Sequence, residues 1–386
     1  MANLSDKVAP SGVLTPTGDG SGLTGLPKPH GPVAVSGATP SLDVGAYNFF
    51  KQGALTADTT VSFASVPTNA KWQYSFVAAV DTSTTFDLAE ASYTSKSFDI
   101  SSQDTVPRGL KFSADGTSMF IVGDANNKVF QYTLSTGFDV STASYSSKSF
   151  ATTQENFPQA LAFNVDGTSM FIVGTDNDTV FQYTLSTGFD VSTASYASKS
   201  FSVNAQDTSP RGLKFSADGT SMFIVGAQAT VFQYTLSTGF DVSTASYASK
   251  SFSVASQDVA PTSLEFNTDG TSMFIVGGVN DTAFQYTLST GFDVSTASYA
   301  SKSFSVASQD AAPTELAFNT DGTSMFIVGT ASDTVFQYTL ASDHSLTLPT
   351  IVGTPSAVTT GDRVTYTFVT DDGGTTIDLI AEEIIQ

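Results

Sequence analysis

The chain contains no cysteine, which excludes disulfides, thiolate catalysis and cysteine-ligated metals. Histidine is confined to His30 and His344, too few for a multi-histidine metal site or a credible Ser-His-Asp arrangement. Cations are scarce: 15 Lys plus Arg stand against 36 Asp plus Glu, for a formal charge of -21. That balance argues against nucleic acid as a partner and repels anionic membranes. No apolar run is long enough to span a bilayer, so membrane insertion is not expected. Walker and dinucleotide fingerprints are missing too, and no cofactor is expected. The opening residues, Met1-Ala2-Asn3-Leu4-Ser5-Asp6-Lys7, lack the basic start and apolar run of a signal peptide, so synthesis in the cytoplasm is the expectation.

What is present is strongly periodic. A Met-Phe pair falls at Met119-Phe120, Met170-Phe171, Met222-Phe223, Met273-Phe274 and Met325-Phe326, at steps of 51 or 52 residues. The series Tyr93, Tyr145, Tyr196, Tyr247, Tyr299 and Asp87, Asp139, Asp190, Asp241, Asp293 keep the same period. Such self-similarity defines a repeat architecture. Each unit divides into four short strand candidates. In the second unit these are 161–163, 169–173, 180–185 and 194–201, the first two joined by the turn Asp166-Gly167. The expected fold is all-β, with five four-stranded blades closing into a β-propeller. A solenoid is the alternative, but it needs polar capping units at both ends. Instead the first unit starts with an outer strand, 91–98, and the last stops after its third, 335–340, so these segments should pair and close the ring. Phe120, Phe130, Tyr132 and their equivalents are expected to fill the space between blades, with Met119 and its equivalents packing beside them.

The flanks differ from the repeat. Residues 1–40 are rich in Gly, Pro, Ser and Thr and read as an extended linker. Residues 41–79 and 344–386 carry strand candidates at 41–50, 55–63, 72–77, 346–348, 363–369 and 376–380. Neither flank alone buries a good core. Together they are expected to form one discontinuous, jelly-roll-like β-sandwich into which the propeller, residues 80–343, is inserted, since the ends of a closed propeller lie close together.

Catalysis should break the repeat, and most Asp residues do not. Asp115, Asp166, Asp218, Asp269 and Asp321 recur in Asp-Gly turns, and the Asp139 series is expected to cap a turn. The irregular acids are read as Glu155, Glu265 and Glu315; a glycosidase would need two carboxylates facing each other across a cleft. A binding rim is the more economical reading. The loops before the first strand of each blade, 103–108, 154–159, 206–211, 257–262 and 309–314, hold a fixed frame of Gln and Pro around a varying residue after Pro: Arg108, Gln159, Arg211, Thr262, Thr314. The loops between second and third strands also vary and contribute Asp124, Asn126, Lys128, Asp176, Asn177, Gln228 and Asn280. Both sets should emerge on one face, around the axis. Arg108 and Arg211 are candidates to pair with a host anionic group or a neighbouring Asp. Asp124, Asp176, Asp178 and Asp281 have neighbours suited to weak Ca²⁺ binding, yet no loop has the twelve-residue Ca²⁺ spacing, so no metal ligand is assigned.

Several segments carry a resemblance. Trp72-Gln73-Tyr74-Ser75-Phe76 with Ser345-Leu346-Thr347-Leu348-Pro349, then Val364-Thr365-Tyr366-Thr367-Phe368 and Asp371-Asp372-Gly373-Gly374-Thr375-Thr376, resembles a β-domain of tailed-phage fibre and appendage proteins. Residues 18–26 resemble the Asp-Gly-Ser-x-Leu-Thr-Gly linker of phage fibres, and the run from Gln182 to Val191 resembles repeats of marine phage and bacterial surface proteins. The resemblance implies a virion structural protein on the tail or capsid surface, not an enzyme. It would be held to other virion proteins by its amino-terminal segment and display the propeller for attachment to a host-surface glycan or protein. It also implies a homo-oligomer, commonly a trimer. Architectural decoration and a glycan-cleaving propeller are the alternatives.

Overall fold

A computed structural model describes residues 86–340 in full and, outside them, the backbone of the flanking strands named below. The chain divides into two compact units, Ser83–Ser342 and a second built from Met1–Thr82 with Asp343–Gln386.

The first unit is a five-bladed β-propeller. Every blade is a four-stranded antiparallel sheet. In the second blade the strands run, from the axis outward, Pro158–Phe163, Ser169–Gly174, Thr179–Leu185 and Ala194–Ser202. The inner two join through an Asp-Gly turn, and the same turn in the first blade shows why. Gly116 sits at φ +69°, open to glycine at no steric cost, and the ring of Phe138 lies against it where a Cβ would stand. The Asp115 carboxylate accepts from the amide and hydroxyl of Thr117 and the hydroxyl of Ser113, which holds it below the usual carboxylate range.

Closure follows the expected scheme. Ser92–Asp99, the first strand of the unit in sequence, pairs antiparallel with Thr334–Thr339 and becomes the outer strand of the last blade. A solenoid is thereby excluded. Apolar clusters lie between neighbouring blades: Phe120 and Leu161 pack with Met170 and Tyr183, and Phe223 and Leu264 with Met273 and Tyr286. Phe120 meets Phe163 of the next blade at 4.7 Å between ring centroids. The interior aromatics therefore serve packing, as their strand spacing suggests.

Two polar devices repeat between blades. Asp139 caps a one-turn 3₁₀ helix, Val140–Thr142, by accepting from the Ser141 amide. It also receives Lys96 Nζ of the preceding blade at 2.8 Å. Lys148–Asp190, Lys199–Asp241, Lys250–Asp293 and Lys302–Asp87 repeat the pair. Beside it, Gln131 Oε1 accepts from the buried Val191 amide at 3.2 Å, and Gln337, Gln182, Gln233 and Gln285 do the same for Val140, Val242, Val294 and Leu88. Each device satisfies an amide at a helix start that would otherwise be orphaned.

In the second unit, Val33–Val35, Phe49–Leu55, Trp72–Val80, Arg363–Thr370 and Asp378–Ile385 form one five-stranded mixed sheet in that order. Its antiparallel centre pairs strands from the two ends of the sequence, with Ala79 opposite Arg363. Two short parallel ladders accompany it, Ser41–Asp43 with Ser62–Ala64 and Leu346–Thr347 with Thr59–Thr60. Of the strand expected over 41–50, Ser41–Asp43 and the start of Phe49–Leu55 are strand and belong to different sheets; residues 44–48 lie outside the described residues. Of that expected over 55–63, Leu55 ends Phe49–Leu55, and Thr59–Thr60 and the start of Ser62–Ala64 are strand; residues 56–58 and 61 lie outside the described residues. The linker expected over 1–40, apart from Val33–Val35, and the run 371–376 lie outside the described residues.

Candidate functional site

The innermost strands share the pattern Pro-x-x-Leu-x-Phe in all five blades, from Pro107–Phe112 to Pro313–Phe318. Its first variable position is a β-bulge. Pro107 pairs with Gly123 and Gly109 with Val122, so Arg108 has no partner in the ladder. Gln159, Arg211, Thr262 and Thr314 stand at the same irregularity. A bulge re-aims a side chain, and here all five line one cavity of about 520 Å³ at the axis.

Asp124, Phe157, Thr175 and Ser209 complete this mouth. Asp124 Oδ2 accepts from Arg108 Nε at 3.1 Å and from its terminal nitrogen at 3.0 Å, fixing that guanidinium. Arg211 makes no hydrogen bond or ion pair among the described residues. The Thr314 hydroxyl donates within reach of the carbonyls of Pro107 and Val328, and Thr262 lies likewise against those of Val276 and Pro313. Phe157, at 51 % exposure, is a large apolar ring left open to solvent.

The other rim candidates do not line this cavity. Asn126, Asn177 and Asn280 donate their side-chain amides to the carbonyls of Gln103, Gln154 and Gln257, clamping one loop to the next. The Gln228 backbone N–H donates to Asp207, and Asp176 accepts from the Asn156 side chain at 2.8 Å. Lys128 opens the third strand of its blade, Lys128–Leu134. These residues vary within a structural role, which sequence variation alone could not separate from recognition. No group of three side chains suited to a metal ion occurs among the described residues.

Glu155 requires a correction. It follows Gln154 as Asp104 follows Gln103 and does the same work: its Oε1 accepts from the amides of Phe157 and Asp176, as the Asp104 carboxylate accepts from Val106 and Asn126. It is a member of the series Asp104, Asp207, Asp258, Asp310, not an irregular acid. The longer side chain leaves Oε2 buried without a partner among the described residues, and burial pushes its pKa up.

Glu265 and Glu315 are both buried on innermost strands and share one lysine. Lys111 Nζ lies 2.6 Å from Glu265 and 3.6 Å from Glu315. Lys214 also pairs with Glu265, and the Ser263 hydroxyl donates to Glu315. Burial drives Glu265 upward, but Lys111 and Lys214 together bring it below its ordinary value. Glu315 is pushed up to about 7, by burial first, with Lys111 opposing. Lys111 is raised, because Glu265 and Glu315 outweigh its burial. Sequence reasoning missed both lysines. Their signal was available: Lys111, Ala162, Lys214, Glu265 and Ala317 occupy the last variable position of the repeated strand.

A second cavity, of about 350 Å³, has this cluster among its lining at Lys111, Lys214 and Glu265, together with phenylalanines such as Phe112, Phe163 and Phe318.

No family model matches the chain, and no curated protein matches it. Among solved structures, it is similar to a functionally unknown protein from Desulfotomaculum acetoxidans DSM 771, at 14 % identity and a TM-score of 0.39. The match covers 58 % of this chain and 66 % of that one, so the chain spans just under two thirds of that protein's length.

Proposed function

We propose that this chain is a non-enzymatic binding module, displayed on a tailed-phage particle and attaching it to the host surface through the axial mouth. One observation carries the reading. The position after Pro is Arg, Gln or Thr in closely similar units, and its five side chains converge on a single cavity. A repeated scaffold that brings one variable side chain from every blade to a single opening is the design expected of a recognition surface. The phage assignment rests on the sequence resemblance of the repeat and framing strands. The charge of -21 fits a protein displayed in many copies without sticking to nucleic acid.

The buried acids favour binding over glycan cleavage. Glu315 is 1 % exposed and Glu265 is 4 % exposed, and both are engaged by lysine. A glycosidase needs one carboxylic acid and one carboxylate open to the scissile bond.

Mass spectrometry of purified particles should find this chain, and a reconstruction should show the Arg108–Arg211 mouth pointing outward. Absence from particles refutes the virion assignment. A mouth sealed against the head or tail wall refutes attachment and leaves architectural decoration.

A further inference from the structure

We infer that the axial mouth is a site for an acidic monosaccharide unit, a pyranose carrying one carboxylate, and this inference rests on the attachment reading above. The charge of the mouth comes first. Two guanidiniums, Arg108 and Arg211, and one carboxylate, Asp124, leave one net positive charge in the cavity. Elsewhere the molecule is strongly acidic, so a dianion or polyanion is repelled by the surroundings while a monoanion is matched. A guanidinium fork fits a carboxylate with two parallel hydrogen bonds.

Availability comes second. Of the ten Lys and Arg in residues 86–340, eight form ion pairs with acids. Arg211 and Lys128 form none among the described residues, and only Arg211 lines a cavity. Arg108 is already held by Asp124, whereas Arg211 has no ion pair among the described residues and only a longer-range attraction to the buried Asp207 carboxylate.

The rest of the lining suits a sugar. Phe157 is the only aromatic residue of the cavity and is exposed, offering a flat face to the C–H side of a pyranose. Thr175 and Ser209 have hydroxyls with no hydrogen bond among the described residues. Thr262 and Thr314 have placed their hydroxyls against backbone carbonyls, so toward a ligand they serve as acceptors. The volume, about 520 Å³, lies in the usual range for small-ligand pockets. Arg108, Gln159 and Arg211 come from three successive blades, so the cationic side of the mouth faces the threonine side. That asymmetry gives a bound sugar one orientation.

Calorimetric titration of the full chain with D-glucuronate tests the site. Binding is expected with a Kd on the order of millimolar, the range of a single small contact that many copies would combine on a particle. D-Glucose and inorganic sulfate should bind at least about tenfold more weakly, a difference of about 1.4 kcal/mol. Arg211→Gln and Phe157→Ala should each weaken glucuronate about tenfold or more without moving the melting temperature, since neither side chain is committed to the fold. Lys128→Gln should change nothing. Sulfate binding as tightly as glucuronate makes the mouth a general anion site and overturns the inference. So do equal affinities for glucose and glucuronate, undetectable glucuronate binding, or full affinity in Arg211→Gln. Adhesion of labelled protein to host cells separates the two readings. Adhesion that glucuronate does not compete and Arg211→Gln does not reduce leaves attachment standing and removes the sugar site. Glucuronate binding with the expected losses, but no adhesion, keeps the site and removes attachment.

Discussion

Lys302 Nζ in the fourth blade lies 2.6 Å from the Asp87 carboxylate, 215 residues earlier in the chain. This contact completes a ring of five inter-blade ion pairs, and it exists only because the start of the repeat region returns to finish the last blade. Asp87 also caps its own 3₁₀ turn by accepting from the Ala89 amide. The two roles can be separated. Asp87→Asn keeps a capping oxygen and loses the ion pair; with the lysine 39 % exposed, solvent screening should limit the loss to less than ~1 kcal/mol. Asp87→Ala removes the cap as well and should cost ~1–2 kcal/mol. Urea melts of the two variants check the ordering; equal losses would remove the capping role.

Closure of the ring has a stronger consequence. Deleting Ser92–Asp99 leaves the edge of Thr334–Thr339 unpaired, and an open edge promotes association. The deletion protein should aggregate or lose cooperative melting. A monodisperse product that melts like the parent would show that the pairing contributes nothing.

These relationships were legible to different depths. The five-fold repeat, the four strands per blade and the closing segment could be read from Met119-Phe120 and its copies, because each is a local pattern repeated at a fixed period. The bulge at Arg108 could not, since it depends on the register between Pro107–Phe112 and Ser118–Gly123. The contact of Lys111 with Glu265 was hidden for another reason: the residues are 154 apart and meet through ring closure. Glu155 was misplaced although its signal was local, in the shared order Gln, acid, two residues, Pro. Asn126, Asn177 and Asn280 showed variable surroundings that reflect loop clamping, which sequence variation does not distinguish from ligand contact.

The buried acids give a pH dependence. Glu315 is pushed up to about 7, from an ordinary value of 4.5. The folded state therefore holds a proton that the unfolded chain has released, and this group's effect on stability worsens as pH rises from about 4.5 to about 7. Asp115 is lowered by its hydrogen bonds, from Ser113 first; Asp139, Asp241 and Asp293 are lowered first by the lysine of the preceding blade and then by the cap serine, and at Asp190 burial opposes but Lys148 and Ser192 outweigh it. Their stabilisation is full above their unfolded values and is lost as pH falls through the folded ones. Glu315→Gln should flatten the decline in melting temperature between pH 5 and 7 and leave the acid limb below pH 4 unchanged. A slope identical to the parent's would place the titrating group elsewhere.

The two-ended sheet suggests that residues 41–79 and 344–386 are one domain interrupted by the propeller. Its central pairing joins Trp72–Val80 to Arg363–Thr370, and neither flank supplies that centre alone. Replacing residues 81–342 with a short turn should leave a protein with a cooperative, β-rich melt. A folded product from either flank expressed separately would contradict the insertion.

The most direct test of attachment is to set the two axial cavities against each other on cells. This chain, fluorescently labelled, would be incubated with bacteria that host the proposed phage, alongside Arg211→Glu in the mouth and Val165→Glu at the exposed rim of the phenylalanine-lined cavity. Both variants should keep the parent's melting temperature. The account predicts that Arg211→Glu loses at least about nine tenths of the bound signal, a shift of about 1.4 kcal/mol or more, while Val165→Glu retains it. Loss in Val165→Glu with full binding by Arg211→Glu would contradict the assignment of recognition to the Arg108–Arg211 mouth.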